Sequence, residues 1–301
     1  MKRLVVLVVT VLLVFAVQSP AREVTLMAWN LANYIRMDRT ERGQSVRRDA
    51  PKPENEIRAL IGIIASVKPD ILGVCEMGKP EEFKSFLDRL KTAGLDYPYT
   101  EYVDGPDDER HVALASRFPI VARNSQANLS FELNGSRQFF KRGILDVTIE
   151  IDPAYRLRLL GTHLKSRREV VEDEALLRRN EARLLRAHVR GILAGAPDEN
   201  LLVYGDMNDT KDQPPIREIM GPKGAPDSLQ DINLKDQYGD KWTHWWKFAD
   251  EYSRIDYVFM SRGVRPEVVF SKCYVGRPQG WNEASDHRPL VVVIRGEERA
   301  R

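Results

Sequence analysis

The segment Leu201–Asp209 (LLVYGDMND) limits most strongly how this chain can fold. Its first four residues are apolar and typical of a buried strand, and a glycine then interrupts the apolar run. Asp206 and Asn208 follow one residue apart, so on extended backbone both side chains point to the same side. The segment therefore predicts a core strand that presents a carboxylate and an amide at its carboxyl end. An ordinary Asp/Asn turn after a strand explains the same residues equally well.

Several other strand-like segments also end in a polar residue that is able to bind a metal or to move a proton. In layered α/β folds, ligands gather where the loops at the strand ends converge. A cluster of residues of this kind would be electrostatically unfavourable without a cation. The residues at the predicted strand ends are Asn30, Glu76, His163, Asp206, Asn208, Asp256, Asp286 and His287.

The chain of 301 residues shows no linker, internal repeat or low-complexity segment, so we predict one catalytic domain from residue 22 to residue 301. Amphipathic helices are predicted at Glu54–Val67, Pro80–Thr92 and Glu172–Leu193, the last with a charged outer face, and irregular loops at Asn33–Pro53 and Met207–Trp242. The formal charge is only +2. Global charge therefore does not indicate nucleic-acid binding, and any basic surface must be local.

The first 21 residues resemble a secretory signal peptide. Lys2 and Arg3 precede an apolar run from Leu4 to Val17, and small residues follow as far as Ala21. An uncleaved membrane anchor is the alternative, but the apolar run is short for a membrane span. We expect cleavage after about Ala21 and export, which makes the protein secreted or periplasmic.

The two cysteines, Cys75 and Cys273, lie in apolar, strand-like segments. A disulfide is the alternative in an exported protein, but neither position is loop-like, so buried free thiols are expected. No cysteine or histidine spacing typical of a zinc site occurs.

Six segments occur in the order found in the endonuclease/exonuclease/phosphatase superfamily, which includes deoxyribonucleases, apurinic endonucleases, inositol polyphosphate 5-phosphatases and neutral sphingomyelinases. The chain resembles this family from about Val24 to Ile294. The resemblance implies an α/β fold, a four-layer α/β/β/α sandwich with two packed mixed β-sheets. It also implies phosphoester hydrolysis with Mg²⁺ or a similar ion. The segments are AWNLANY, ILGVCEMG, GTHLKS, VYGDMND, SRIDYVF and SDHRPL.

The resemblance further implies which residues hold the metal and which supply the base. Glu76 looks like the main metal carboxylate, with Asn30 beside it, and Asp286 looks like a further carboxylate of the metal site. His287 looks like the general base, with Asp256 holding its ring. Hard oxygen ligands suit Mg²⁺, Mn²⁺ or Ca²⁺.

The remaining strand-end residues are expected to meet the substrate. Asp206 and Asn208 look like the pair that contacts the attacking water and the phosphate. His163 matches a second histidine of the deoxyribonuclease branch, which contacts the phosphate or assists the leaving group. Histidine suits proton transfer near neutral pH because its unperturbed pKa lies there.

A local basic rim is the predicted substrate-binding surface. It comprises Arg142, the residues from Lys165 to Arg168 and the basic loop Asn33–Pro53, although solvated surface charge is the alternative. In the stretch Glu109-Arg110-His111, Arg110 is able to meet the phosphate and Glu109 to orient His163. Solvated turn residues explain the stretch equally well.

The aromatic segment of residues 242–246 has two possible interpretations. Trp242, Trp245 and Trp246 are able to stack on bases or ribose, or to pack as the lid of the preceding loop, and we expect packing for at least two of them. His244 and His188 are given no catalytic role. The sequence shows no exposed apolar hairpin that would dip into a bilayer.

The function that these features favour is an exported, metal-dependent phosphodiesterase that hydrolyses DNA or RNA by in-line attack of water. A phosphatase or phospholipase-type enzyme acting on a small phosphoester, inositol phosphate or sphingolipid is the alternative. A catalytically silent binding protein is disfavoured because the catalytic set is intact. We expect nucleic acid as the substrate, no stable membrane insertion after signal cleavage, and no obligate protein partner.

Overall fold

Two six-stranded sheets lie at the centre of the protein, which we describe from a computed structural model. The structure describes residues 22–41, 45–167 and 173–299. The predicted signal segment and Arg168 lie outside the described residues. Within those ranges, no helix is both long enough and apolar enough to cross a membrane.

Strands far outnumber helices along the described chain, and seven consecutive strands separate the second helix from the third. The strands are β1 (Glu23–Tyr34), β2 (Met37–Glu41), β3 (Ser45–Ala50), β4 (Ile71–Met77), β5 (Tyr99–Val103), β6 (His111–Ser116), β7 (Ile120–Arg123), β8 (Ser130–Leu133), β9 (Ser136–Phe139), β10 (Ile144–Asp152), β11 (Tyr155–His163), β12 (Leu201–Asp206), β13 (Gln230–Asp231), β14 (His244–Trp246), β15 (Glu251–Ser253), β16 (Asp256–Met260), β17 (Tyr274–Val275) and β18 (Leu290–Arg295). The helices are α1 (Glu54–Val67), α2 (Pro80–Thr92), α3 (Glu174–Gly195), α4 (Pro214–Met220) and α5 (Trp281–Ala284), and short 3₁₀ turns lie at Arg265–Glu267 and Phe270–Lys272.

The two sheets share one design. The first has the strand order β17–β18–β1–β4–β6–β5, and the second has the order β13–β16–β12–β11–β10–β7. Each contains one central parallel pair, β1 with β4 and β11 with β12, among antiparallel neighbours. The helix α1 connects the first pair and α3 the second, as a parallel connection requires. Since parallel strands end at the same edge of a sheet, each pair delivers two strand ends to one place.

Three apolar layers hold the helices and sheets together. Leu159 and Tyr204 lie in the layer between the two sheets. Phe86 lies where α1 and α2 cover the first sheet, and Leu185 lies where α3 covers the second. Burial of each such side chain contributes about 1.5–3 kcal/mol. The layer order confirms the predicted four-layer α/β/β/α sandwich with two mixed sheets.

The structure differs from the sequence prediction mainly in the loops. The helices α1 and α2 have the predicted bounds, because each is amphipathic and follows or begins with a proline. The predicted loop Asn33–Pro53 contains the paired strands β2 and β3, and Met207–Trp242 contains α4. Strands β2 and β3 are mostly polar, so no apolar alternation marks them. Cys75 and Cys273 are free thiols, as predicted, but only Cys75 is buried, since Cys273 is half-buried and lies just before β17.

Candidate active site

The carboxyl ends of the two parallel strand pairs meet at one edge of the sandwich. Asn30 and Glu76 lie near the ends of β1 and β4, and His163 and Asp206 end β11 and β12 as register partners. Asn30 donates a hydrogen bond of 3.0 Å across the sheets from its amide nitrogen to Asp206 Oδ2. His163 Nε2 lies 3.9 Å from Glu76 Oε1. The sandwich thus brings the predicted strand-end residues into one buried cluster.

The backbone at these strand ends is held in conformations that aim the side chains. Glu76 and Asn208 have left-handed backbone, with φ of 57° and 50°. Such conformations cost on the order of 1–3 kcal/mol each and persist only where surrounding contacts enforce them. Glu76 Oε2 accepts the Asn33 N–H at 2.7 Å, and Asp206 Oδ1 accepts the Asn208 N–H at 2.8 Å. Gly205 has a φ of 140°, and a Cβ there would overlap the carbonyl group of the neighbouring strand.

His287 is held from several sides. Its Nδ1 lies 2.8 Å from Asp256 Oδ2, its carbonyl oxygen accepts the Trp29 indole N–H at 2.9 Å, and its backbone N–H donates to Ser285 Oγ. Burial by itself lowers the pKa of His287, but the negative charges of Asp256 and Asp206 outweigh it and raise this pKa well above its usual value. The ring is therefore fixed in orientation and binds a proton strongly.

Asp206 lies at the centre of the cluster. Its Oδ2 lies 3.5 Å from His163 Nε2 and 3.8 Å from His287 Nε2. Burial and the neighbouring charge of Asp256 raise the pKa of Asp206 to about 7. Burial and the charge of Asp256 thus oppose ionisation of this carboxyl group, although the charge of His287 favours it.

His163 differs from His287 in both partner and charge. It is fully buried, and no hydrogen-bond partner for its Nδ1 occurs among the described residues. Burial, together with the positive charges of Arg142, His287, Arg110 and Lys165, lowers the pKa of His163 well below its usual value. His163 is therefore neutral at physiological pH.

Asp286 lies on the open side of the cluster. Its side chain is 53% exposed, and one of its carboxylate oxygens lies 3.9 Å from His287 Nε2. The other oxygen lies 3.9 Å from His244 Nε2. The rings of His244 and His287 are 4.7 Å apart, so His244, to which the sequence assigned no role, borders the site.

The predicted basic residues surround His163, and most of them are already paired. Arg142 is buried, with its Nε 3.0 Å from Asp107 Oδ2. Arg110 donates to the Asn33 side-chain oxygen and pairs with Glu109 at 2.7 Å. Glu109 therefore binds Arg110 and does not orient the second histidine as one reading proposed. The solvated-turn reading is also wrong for His111, which is buried.

Lys165 is held through its side chain and its backbone by two acids of α3. Its ammonium group lies 2.9 Å from Glu174, and its backbone N–H donates to Glu181 at 2.6 Å. Glu181 also accepts the backbone N–H of Lys141 at 3.3 Å, so it ties together the loops that follow β9 and β11. Burial raises the pKa of Glu181 to about 7, although the charge of Arg142 opposes this shift.

Glu181 and its neighbours on α3 are functional candidates that the sequence analysis missed. The charged face of α3 was assigned to solvent, yet Arg178 and Glu181 are buried, and Arg178 binds Asp209 at 2.9 Å beside Asn208. The sequence did carry a signal of this burial, because Arg178 and Glu181 lie three residues apart among leucines that face inward. Helical spacing alone does not show whether such groups meet partners in the core.

The tryptophans near residue 244 divide between packing and exposure. Trp242 and Trp245 contact the rings of Tyr252 and Trp281, whereas Trp246 is 52% exposed. The hairpin β14–β15 also exposes Phe248 at its turn. The structure thus shows exposed aromatic side chains on a hairpin that the sequence pattern did not identify, because polar residues separate them. Whether the hairpin enters a bilayer stays a separate prediction.

The donor set suits a hard divalent cation. In the described chain, two groups have ligand atoms within 4.8 Å of one another: Asp206, Asp256 and His287, and His244, Asp286 and His287. The carboxylate of Glu76 borders the first group through the ring of His163. Carboxylate oxygens suit Mg²⁺, Mn²⁺ or Ca²⁺, and the raised pKa of Asp206 marks negative charge that a cation would offset. The residues therefore fit such an ion.

Solved structures share this fold at low sequence identity. Truncated TDP2 of Caenorhabditis elegans is 18% identical, with a TM-score of 0.60 over 91% of this chain and 97% of that chain. The human nocturnin catalytic domain with bound sulfate is 19% identical, with a TM-score of 0.62 over 90% and 93% of the two chains. Sphingomyelinase C of Streptomyces griseocarneus is 16% identical, with a TM-score of 0.58 over 91% and 100%. At these identities the likeness shows the fold alone, and no curated protein matches the chain significantly.

Family membership is shown by the sequence match over most of the chain. Residues 27–287 match the Endonuclease/Exonuclease/phosphatase family. This range includes every strand-end residue described above. Enzymes of this family hydrolyse phosphoester bonds and generally depend on a divalent metal ion. The resemblance drawn from the sequence is confirmed: this chain belongs to the endonuclease/exonuclease/phosphatase family.

Proposed function

We propose that this phosphoesterase is an exported nuclease that hydrolyses phosphodiester bonds of DNA or RNA with Mg²⁺, or with Mn²⁺ or Ca²⁺ in its place. The observation that carries the proposal is the charge pattern around the cluster. Arg110, Arg142 and Lys165 lie near enough to His163 for their charges to lower its pKa, and Glu76 and Asp206 lie within 3.9 Å of its Nε2. A polyanionic strand needs cationic groups beside the scissile phosphate, and basic residues supply them.

His287 accepts the proton of the attacking water at Nε2. Asp256 binds Nδ1 and so keeps Nε2 directed into the cluster, as an oriented base requires. The water oxygen forms the new bond to phosphorus. The bond to the leaving oxygen breaks on the opposite side, and that oxygen keeps the electron pair and takes up a proton.

Asp206 and Asn208 orient the water and the phosphate from the carboxyl end of β12. The Asn208 amide is fixed by donating a hydrogen bond of 2.9 Å to the Leu164 carbonyl oxygen. His163 is neutral, so it contacts the phosphate or the leaving oxygen by a hydrogen bond without adding a full charge. Arg142 and Arg110 hold flanking phosphate groups.

Glu76, Asp206 and Asn30 would hold the divalent cation, with Asp286 as a further carboxylate on the exposed side. When bound, the cation neutralises the phosphate oxygens and offsets the acids that retain the proton on His287. The buried position of Asp206 and the left-handed backbone of Glu76 keep these oxygens directed into the cluster before substrate arrives.

A substrate panel tests the proposal directly. Supercoiled plasmid DNA, RNA, inositol phosphates, sphingomyelin and bis-p-nitrophenyl phosphate are each incubated with Mg²⁺ and, separately, with excess EDTA. We expect cleavage of nucleic acid that EDTA abolishes and that a His287→Ala preparation lacks. Turnover of only a small phosphoester or of sphingomyelin, with both nucleic acids intact, would overturn the nuclease assignment.

Export is a separate proposal that rests on the first 21 residues. A basic start, an apolar run and small residues are typical of a cleavable signal. Amino-terminal sequencing of the protein recovered outside the cytoplasm checks it. We expect a mature start near Arg22, and an intact Met1 in membrane-bound material would indicate an anchor instead.

A second candidate substrate is a membrane phosphodiester, and one observation favours it. The hairpin β14–β15 presents Trp246, Phe248 and Tyr252 to solvent beside the active site. Exposed aromatic clusters of this kind are also found at membrane interfaces. The sphingomyelin arm of the panel tests this candidate.

A further inference from the structure

Backbone contacts attach the hairpin β14–β15 to the loop of residues 285–288, which carries His287 and which we call the catalytic loop. His244 forms a β-bridge with His287, and the Trp245 N–H donates to the Asp286 carbonyl oxygen at 2.9 Å. The Arg288 N–H donates to the Thr243 carbonyl oxygen at 2.6 Å. The start of β14 therefore has a fixed position relative to the proposed base.

Strand geometry assigns the aromatic side chains of β14 to opposite faces. Successive residues of a strand alternate, so His244 and Trp246 share one face and Trp245 points to the other. The first face is the one directed at the active site, because the His244 ring lies 4.7 Å from the His287 ring. Trp245 stacks on Tyr252 with a 12° angle between the rings and forms the packed side of the hairpin.

Trp246 is the tryptophan that remains available on the site-facing side. Half of its surface is exposed, and within the described ranges no aromatic ring contacts it. Two residues along a strand span about 7 Å, so Trp246 lies roughly one nucleotide beyond His244. A large flat ring held at that distance on a rigid hairpin is suited to stack on a flat ring of the substrate.

We propose that Trp246 stacks on the nucleobase next to the scissile phosphodiester and so favours substrates that carry bases. This inference rests on the proposed nuclease function. Stacking is sequence-tolerant because every base has a π-face, so Trp246 would favour strands with accessible bases without selecting a sequence.

The charges of the hairpin favour a base over a bilayer as the partner of Trp246. Glu251 lies directly opposite Trp246 in the strand pair, on the same face, and Asp250 lies in the turn, where Lys247 offsets only one of these two negative charges. Carboxylates around the aromatic side chains repel anionic headgroups and are costly to bury in a membrane. Neither charge obstructs a neutral base that approaches from the active site.

The test compares two oligonucleotides of equal length and charge, an oligothymidylate and the same chain with stable abasic residues in place of thymidine. For Trp246→Ala, we expect KM for the oligothymidylate to rise about tenfold with kcat nearly unchanged, and KM for the abasic chain to stay at its wild-type value. Trp246→Phe retains a ring and should restore KM to within about threefold. Phe270→Ala, at another half-exposed aromatic residue far along the chain, serves as the matched control.

An equal change in KM for both chains, or no change for either, would overturn the stacking assignment. Cosedimentation with sphingomyelin–phosphatidylcholine vesicles forms the second arm. If Trp246→Ala and Phe248→Ala both lose vesicle binding while KM for the oligothymidylate is unchanged, the hairpin is a membrane contact and the inference is wrong. If the wild-type enzyme cleaves neither oligonucleotide, and neither the plasmid DNA nor the RNA of the substrate panel, the nuclease proposal itself fails. If it cleaves plasmid DNA or RNA but neither oligonucleotide, the preference for accessible bases is absent and the inference about Trp246 is wrong. Normal cleavage by Trp246→Ala removes only the role of Trp246.

Discussion

The two buried histidines of the active site, His287 and His163, bind protons with opposite strength. His287 has a carboxylate at 2.8 Å from Nδ1, and the acids around it raise its pKa. His163 has no partner at Nδ1 among the described residues, and burial and basic neighbours lower its pKa. Both rings approach the same oxygen of Asp206, at 3.8 Å and 3.5 Å. The difference therefore arises from the surroundings and not from depth or position.

This contrast fits the two roles proposed for the histidines. In the proposed mechanism a base must hold a proton after taking it from water, and the His287–Asp256 pair is suited to do so. A group that contacts an anionic phosphate between arginines adds little by carrying a further charge, so a neutral His163 suffices. The two environments assign these roles by different means, a paired carboxylate in one case and desolvation with neighbouring cations in the other.

Removing the base should have the largest effect. We expect His287→Ala to lower kcat for plasmid DNA and for bis-p-nitrophenyl phosphate by about 10³-fold, because proton transfer is lost. Circular dichroism should show an unchanged fold. Near wild-type rates on both substrates would remove His287 from the mechanism and leave the contrast without a functional meaning.

Removing the carboxylate that distinguishes the two rings should have the next largest effect. Asp256→Asn keeps the side-chain size but replaces the charge, so the tautomer and the proton affinity of His287 both change. We expect kcat to fall about 10²-fold, and the pKa of His287 to move down toward that of His163. An unchanged pKa of His287 in this variant would show that Asp256 is not the group that sets it apart.

Changes on the His163 side should be smaller. His163→Ala removes one hydrogen bond to the substrate, and we expect kcat/KM to fall about tenfold. Kinetics at pH 6 and pH 8 should show the same ratio to wild type, because His163 is neutral across this range. A ratio that changes between the two pH values would mean that His163 takes up a proton during the reaction.

A substitution of Glu181 tests the surroundings of His163 with a smaller expected effect. Glu181→Gln keeps the volume but replaces one of the two oxygens that accept the N–H groups of Lys141 and Lys165. We expect KM for nucleic acid to rise about threefold, since the loops that carry the basic residues loosen, with little change in kcat. Arg58→Gln on the exposed face of α1 is the matched control and should change neither parameter.

A third histidine, His188, also binds a buried carboxylate through a ring nitrogen, but it has no part in the proposed mechanism. Its Nε2 lies 2.8 Å from Asp146 Oδ2, away from the active site, and Arg158 binds the same carboxylate. We expect His188→Ala to leave kcat and KM unchanged and to lower the free energy of unfolding by about 1–2 kcal/mol. Loss of activity with intact stability would contradict the view that the surroundings define the role.

The same pair predicts how stability depends on pH. Burial alone raises the pKa of Asp146, but the hydrogen bonds from His188 and Arg158 outweigh it and hold this pKa below its usual value. The stabilisation is therefore complete above the ordinary Asp pKa of about 4 and is lost as the pH falls through the lower folded value. Urea unfolding between pH 3 and pH 7 should show a weaker acid-induced loss for Asp146→Asn than for wild type.

The sequence was sufficient for the residues whose signal is local. Asn30, Glu76, His163 and Asp206 follow apolar strands directly, and a parallel pair must end at one edge, so their meeting place follows from chain order. The helices α1 and α2 were likewise predicted with correct bounds, whereas the helix predicted at Glu172–Leu193 runs from Glu174 to Gly195. The structure adds the cross-sheet hydrogen bond of Asn30 with Asp206, which depends on how the two sheets pack.

The sequence was insufficient where the partner of a residue is distant in the chain. In the sequence, Glu181 looks like a surface charge on α3. In the structure it accepts hydrogen bonds from the backbone N–H groups of Lys141 and Lys165. Trp245 and Trp246 are adjacent and chemically identical. Only the docking of β14 on the catalytic loop decides which one packs and which one faces the site.

The most direct test of the contrast is a proton titration of the two rings by nuclear magnetic resonance with ¹⁵N-labelled histidine. In the presence of EDTA, we expect His287 to be a charged imidazolium at pH 7 and His163 to remain neutral well below pH 6. Addition of Mg²⁺ should lower the pKa of His287, since a cation among the acids opposes their effect. If His163 takes up its proton before His287 as the pH falls, the assignment of His287 as the base and His163 as the neutral contact is wrong.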